Sequence, residues 1–150
     1  VNQFLRGQTS GLLWDEQMVQ EVGDKVAAMD KIFAESKIPE DIIVFRGGSY
    51  PGGAGALEVG DVFQDRAYVS TSLSSVDADR FRTNAPVGER VMFQIQVSAG
   101  QPGIYMDTDE IRKYTNLREE EVLLPRDTRF RVTEVGGSTR RPVVTLEVIQ

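Results

Sequence analysis

Three short patches of this chain hold the side chains with the most capacity for chemistry. In Phe45-Arg46-Gly47 an arginine ends a hydrophobic run and the chain passes directly into glycine. An arginine held at the end of a buried strand can fork onto a phosphate, and a glycine beside it lets backbone come close to a ligand. In Tyr68-Val69-Ser70-Thr71-Ser72, strand alternation sends Ser70 and Ser72 to one face and Thr71 to the other. In Glu119-Glu120-Glu121, running into Val122-Leu123-Leu124-Pro125, strand spacing puts Glu119 and Glu121 on one face. Two carboxylates there repel unless a cation, a proton or a ligand is near. Each patch alone also has an ordinary explanation: a solvated strand-end arginine, a turn-forming run of hydroxyls, and an acidic strand entry neutralised by Arg118 or Arg126.

What the chain lacks narrows the chemistry further. It contains no cysteine and no histidine. Disulfides, thiolate nucleophiles, Ser-His-Asp triads and the usual zinc sites are therefore excluded, and no metal is implied. Catalysis must run on carboxylates, hydroxyls, lysine or arginine. Ser70, with no histidine and no obvious lysine base beside it, is a poor nucleophile but a good hydrogen-bond positioner. A formal charge of -6 and a pI near 4.7 argue against a surface built to hold nucleic-acid phosphates. No apolar run approaches the roughly 18 residues a membrane helix needs, and the N-terminus has no signal-peptide pattern.

The elements that must position these patches follow from periodicity. Apolar residues at Met18, Val22, Val26, Met29 and Phe33 predict an amphipathic helix between Asp15 and Ser36, with Trp14 under its first turn. Ile38-Pro39-Glu40-Asp41 ends it, and Ile42-Ile43-Val44-Phe45 reads as a buried strand. Six glycines between Gly47 and Gly60 predict a long functional loop. It lacks the endings of the phosphate-binding loop and of the dinucleotide fingerprint, which removes the main support for a Rossmann fold. Further strands are expected at Val62-Phe63, Ala67 to Thr71, Val91 to Val97, Val122 to Leu124, Phe130 to Glu134 and Val143 to Ile149. Short helices are expected over Asp77 to Arg82 and Thr108 to Tyr114, the latter capped by Asp107 or Thr108. The length suits one domain over residues 1–150, expected to be a catalytic domain taken from a longer chain.

Taken together, in this order and spacing, Phe45-Arg46-Gly47, Val69-Ser70-Thr71-Ser72 and Glu119-Glu120-Glu121-Val122-Leu123-Leu124-Pro125 resemble the Arg–Ser–Glu class of mono-ADP-ribosyltransferases, in particular the bacterial toxin and phage-type domains. Phe4-Leu5-Arg6-Gly7 and Lys37-Ile38-Pro39-Glu40-Asp41 extend the resemblance to nearly the whole chain. It implies an α+β fold with N-terminal helices packed on a mostly antiparallel core of two small sheets, with NAD in the cleft between them. The implied activity is cleavage of the nicotinamide–ribose bond of NAD, the substrate, and transfer of ADP-ribose to an acceptor.

By resemblance, Glu121 holds a ribose hydroxyl and faces the cationic sugar, and Ser70 orients Glu121. Arg46 grips the pyrophosphate, Gly47 offers backbone to the carboxamide, and Thr71 and Ser72 complete that wall. Phe81 or another residue of the segment after Ser-Thr-Ser stacks on nicotinamide, and Arg90 serves as a second phosphate clamp. Glu119, at the first position of Glu-x-Glu, goes with an arginine acceptor on a target protein. Tyr114, the only aromatic in the loop before the glutamates, stands further from Glu119 than in many relatives, which leaves the target open. The resemblance further implies a secreted or injected toxin acting in a target cell's cytosol, with an immunity or inhibitor protein as a possible partner. Three alternatives remain: an NAD glycohydrolase that needs no Glu119, transfer to a non-protein acceptor such as RNA, and a non-catalytic protein-binding domain.

Overall fold

The structure, a computed structural model, describes residues 5, 16–106 and 121–149. Helix α1 spans Glu16–Glu35, one residue inside the expected limits at each end. Of its apolar stripe Phe33 is fully buried, while Met18 is exposed. Phe33 stacks on Tyr68 with centroids 5.6 Å apart and planes 13° from parallel. The chain leaving the helix is locked by Ile38, whose amide donates to the Gln101 carbonyl at 2.8 Å and whose carbonyl accepts from Gly100 at 2.8 Å. Among the described residues no helix is long and apolar enough to cross a membrane. The expected helix over Thr108 to Tyr114 and the expectations for Phe4, Arg6, Gly7 and Trp14 lie outside the described residues.

Among the described residues eight strands follow: β1 (Ile42–Ser49), β2 (Val62–Asp65), β3 (Val69–Ser72), β4 (Arg90–Val97), β5 (Ile104–Tyr105), β6 (Glu121–Leu124), β7 (Thr128–Gly137) and β8 (Pro142–Ile149). They hydrogen-bond in the order β2-β7-β8-β4-β1-β3-β6-β5. Every pairing is antiparallel except β4 with β8. The expected pair of sheets corresponds to two wings of this ladder. The long wing is β2-β7-β8-β4-β1, the short wing is β3-β6-β5, and they join through a single pair, Phe45 opposite Ser72. The core lies mainly on the face of the long wing that carries Val44, Val91, Phe93, Ile95, Val144 and Leu146.

Several boundaries differ from expectation for identifiable reasons. Strand β1 runs through Gly47 and Gly48 to Ser49 because each pairs with β4, ending at Ser49 opposite Arg90. The glycine-rich stretch is thus a strand end, a turn and a 3-10 turn at Ala54–Ala56 rather than one long loop. Helix α2 spans Ser75–Arg82, starting two residues early because the Ser74 side chain caps it by accepting the Asp77 amide at 3.3 Å. Strand β3 starts at Val69, so Ala67 and Tyr68 are its lead-in. Strand β5, only two residues long, carries no periodicity from which a sequence could announce it.

Candidate active site

The seam between the wings brings the three motifs together. In the β3–β6 ladder Ser70 lies opposite Leu123 and Ser72 opposite Glu121, so Ser70, Ser72 and Glu121 share a face. On the other face Thr71 packs with Val122, and its hydroxyl donates to the Val122 carbonyl at 2.6 Å. The alternation expected for Ser70-Thr71-Ser72 is the one observed. The Ser70 Oγ reaches diagonally across the ladder and donates to Glu121 Oε1 at 2.5 Å. From the long wing, Arg46 Nη1 donates to the Ser70 carbonyl at 2.9 Å. An arginine, a serine and a carboxylate from three strands therefore form one continuous contact series.

These residues border two cavities. The smaller, about 130 Å³, is lined by Arg46, Gly47, Ser70, Thr71, Ser72 and Phe81 among others. Phe81, on α2, is 53% exposed there. The larger, about 450 Å³, has an aromatic floor that includes Phe63, Phe93 and Phe130 and a rim with Ser49, Asp65 and Arg66. Arg46 lines both. The smaller volume is below the range usual for a whole small-molecule site and fits a single ring, whereas the larger falls within it.

The structure gives Gly47 a packing reason in addition to the expected one. A Cβ there would stand 1.9 Å from the Ala78 carbonyl oxygen and 2.7 Å from the Arg82 amide. The residue is glycine because α2 lies directly on β1, which is also what carries Phe81 to the cavity wall. Thr71 and Ser72 line the cavity with hydroxyls already engaged: Thr71 as above, and Ser72 Oγ accepting from the Ser74 amide at 3.0 Å. Arg90 is not brought to this group. It pairs with Ser49, three residues or about 10 Å along the strand from the Arg46–Phe93 pair. Its Nε and Nη2 donate to the Ala85 and Thr83 carbonyls at 2.9 and 3.0 Å. Glu119 and Tyr114 lie outside the described residues.

One supporting group was not singled out from the sequence. Asp30 on α1 accepts from Arg126 Nε at 2.8 Å and from the Tyr68 hydroxyl at 2.9 Å. Tyr68 stands two residues before Ser70, and Arg126 five after Glu121. Arg126, one of the two arginines that the ordinary explanation set against the acidic strand entry, pairs with Asp30 and Asp127. The Arg126 guanidinium holds the Asp30 carboxyl below the usual carboxylate range. Burial, helped by the Asp30 charge, pushes the Tyr68 hydroxyl up to about 12. Asp30 and Arg126 are 96 residues apart, so the only signal in the sequence was the pairing of opposite charges, and that did not say which pair.

This fold and site define a known class. The profile of the ADP-ribosyltransferase exoenzyme family matches residues 1–148, and the chain belongs to that family. Among solved structures it resembles the Vis toxin, an ADP-ribosyltransferase from Vibrio splendidus, with a TM-score of 0.74 and 22% identity; the match covers 99% of this chain and 65% of that one. The chain therefore spans a little under two thirds of the length of that relative. It also resembles C3stau2 from S. aureus, solved with NAD (TM-score 0.70, 20% identity, 100% and 80% covered). The C3 exoenzyme of Clostridium limosum is similar as well (TM-score 0.68, 21% identity, 100% and 78% covered). At these identities what is shared is the fold. No curated protein sequence matches the chain.

Proposed function

We propose that this domain cleaves the nicotinamide–ribose bond of NAD and transfers ADP-ribose to an arginine of a target protein, as a toxin or effector delivered into another cell. The observation that carries the reading is the Ser70–Glu121 contact beside Arg46, at the wall of a ring-sized cavity. Arg46, on the boundary of both cavities, holds the pyrophosphate. The nicotinamide end then enters the small cavity against Phe81, and the adenosine end extends toward the larger one. The C1′–N bond breaks with its electron pair leaving on nicotinamide. Because that group departs from a cationic pyridinium as a neutral molecule, the reaction needs no general acid, consistent with a chain that has no histidine. The positive charge left on the ribose is stabilised by the Glu121 carboxylate, which Ser70 fixes in orientation.

Arginine is favoured as acceptor by Glu119, two residues before Glu121, and by the fact that a relative of this fold, Vis, has been solved in complex with agmatine, a guanidine compound. A guanidinium with a pKa above about 12 needs a carboxylate to bind it and take its proton as nitrogen bonds to C1′. Glu119 is assigned that role. The test is incubation of the domain with labelled NAD and a cytosolic extract, beside a Glu121→Ala control. Label fixed to protein by the wild type alone, and released by hydroxylamine, is the expected result. Nicotinamide release without labelling would move the assignment to a glycohydrolase or to a non-protein acceptor. Glu119→Gln separates these, because transfer to arginine should collapse in it while hydrolysis survives. NAD left intact by the wild type would overturn the enzymatic reading.

A further inference from the structure

We propose that the free edge of β2 is a docking site for an extended segment of another protein, added to the sheet as a further strand and carrying a basic–x–aromatic–x–basic pattern. Strand β2 ends the ladder on the long wing, and among the described residues no strand pairs with its other edge. The bonds to β7 show which groups that edge offers. The Val132 amide donates to the Asp61 carbonyl at 2.8 Å and the Asp127 amide to the Asp65 carbonyl at 2.9 Å, so residues 61, 63 and 65 turn their backbone groups inward. The amides and carbonyls of Val62 and Gln64 then face outward. Val62 is 44% exposed, which leaves room for a strand beside it.

Side-chain alternation sets the pattern of the partner. Asp61, Phe63 and Asp65 share one face, and Phe63 stands opposite Phe130 with ring centroids 5.5 Å apart. An aromatic residue opposite Phe63 on an added antiparallel strand extends that row at the larger cavity, which Phe63, Gln64 and Asp65 line. Its neighbours two residues to either side fall opposite Asp61 and Asp65. Both carboxylates are held at the edge, Asp61 Oδ2 by the Glu58 amide at 2.8 Å and Asp65 Oδ1 by the Ala67 amide at 2.9 Å. Lysine or arginine at those two positions therefore meets an opposite charge across the strands. The same carboxylates select against a second copy of this chain. Pairing of β2 with itself about Phe63 sets Asp61 opposite Asp65 of the second copy at both ends, where like charges repel. A basic partner is the occupant that this edge fits.

The docking does not depend on the transferase reading, and neither does its test. The isotope-labelled protein is titrated with a capped peptide containing Arg-Thr-Tyr-Val-Lys, an order that places its tyrosine opposite Phe63 in antiparallel pairing. The amide resonances of Val62 and Gln64 are expected to move and saturate, and their exchange with solvent to slow at least about tenfold. A Glu-Thr-Tyr-Val-Glu peptide should bind at least about tenfold more weakly. So should the basic peptide N-methylated at its threonine and valine, which loses the amides that face Gln64 and Val62 and leaves the protein untouched. Gln64→Pro removes an outward donor and no backbone bond to β7, a place where an edge strand accepts proline, and should weaken binding as much. Shifts that do not saturate, equal affinity for the acidic and basic peptides, or binding unaffected by N-methylation or by Gln64→Pro would overturn the assignment. So would protection of these two amides that rises with protein concentration before any peptide is added, since a second copy would then occupy the edge.

Discussion

The two wings of the sheet are built on different principles. The long wing is made of ladders of up to eight residue pairs, with its buried face filled by aliphatic and aromatic side chains. The short wing has a four-pair ladder between β3 and β6 and a two-pair ladder to β5, and joins its neighbour at one pair. Yet the short wing carries both Ser70 and Glu121. A ladder that short cannot hold two side chains to hydrogen-bond tolerance unaided, because isolated small ribbons are marginal in water. The tethers around it supply the remainder: Thr71 bonded across the ladder, Arg46 bonded to the Ser70 carbonyl, and the Tyr68–Asp30–Arg126 group bracketing the strand ends. The long wing is held by its long ladders and most of the core, whereas the short wing adds only Val69, Val122 and Leu124 to that core and relies more on these polar contacts.

The largest expected effect is at the carboxylate itself. Glu121→Gln keeps the shape and the acceptor for Ser70 but removes the charge facing the ribose. Loss of one well-placed electrostatic group costs on the order of 10²–10³ in kcat. The melting temperature should stay close to wild type, since the residue contributes to the site rather than to the core. If activity and stability fell together, Glu121 would be a structural member of the short wing and the distinction between the wings would fail.

Gly47→Ala acts at the contact between the wings' supports. The added methyl group meets the Ala78 carbonyl, a backbone atom with little room to yield, so α2 must lift from β1. Overpacking of this kind costs about 1–3 kcal/mol. Because α2 carries Phe81, affinity for NAD should drop as well, measured as a raised KM with a smaller change in kcat. A variant with normal stability and unchanged KM would show that α2 can shift without disturbing the cavity.

Asp30→Ala tests the tether most directly. It removes the acceptor that Tyr68 and Arg126 share, leaving Tyr68 with the Val26 carbonyl and Arg126 with Asp127. With the ion pair about one third exposed, the expected loss is about 1–2 kcal/mol. Hydrogen exchange should quicken in β3 and β6 and remain slow in β4 and β8. The pH dependence has two arms. Asp30 has a folded pKa below its unfolded value of 3.8, so its contribution is present above that value and is lost as pH falls through the folded pKa. Tyr68 is raised from 10.0 to about 12, so its contribution is complete below pH 10 and is lost as pH rises toward 12. Tyr68→Phe should abolish that alkaline loss. Uniform acceleration of exchange across both wings in Asp30→Ala would show the sheet to be one cooperative unit.

The same contrast explains what could be read from the sequence. The four longer strands of the long wing were legible because burial on one face patterns eight to ten residues, and only their ends moved. In the short wing Ser70, Thr71 and Ser72 were legible because alternation within a strand is local. What joins that wing to the molecule was not. Arg126 could have paired with the nearby glutamates as easily as with Asp30, and only the path of α1 decides it. Gly47 was noticed as special, but α2, the element that makes it so, is held by contacts invisible in a linear pattern. Arg90 was given as a second phosphate clamp by resemblance, and strand register places it three residues along β4 from the partner of Arg46.

The smallest effect is expected where the long wing carries a surface ion pair. Arg131 Nη1 lies 2.9 Å from Glu147 Oε1 across the β7–β8 ladder, with both side chains exposed by more than a third. Such pairs contribute about 0.2–1 kcal/mol at most, and salt screens them. Beneath it Phe130, Val132 and Leu146 are each at most 2% exposed and make the contact that decides whether these strands stay together. Arg131→Ala should therefore lower the denaturant midpoint barely beyond measurement error at low salt and not at all at high salt, with activity unchanged. A polar contact of similar length is thus expected to matter in one wing and not in the other, because near Asp30 the ladder is four pairs long and at Arg131 the core already holds the strands. A loss at Arg131 equal to that at Asp30 would mean that core burial does not set the stability of the long wing.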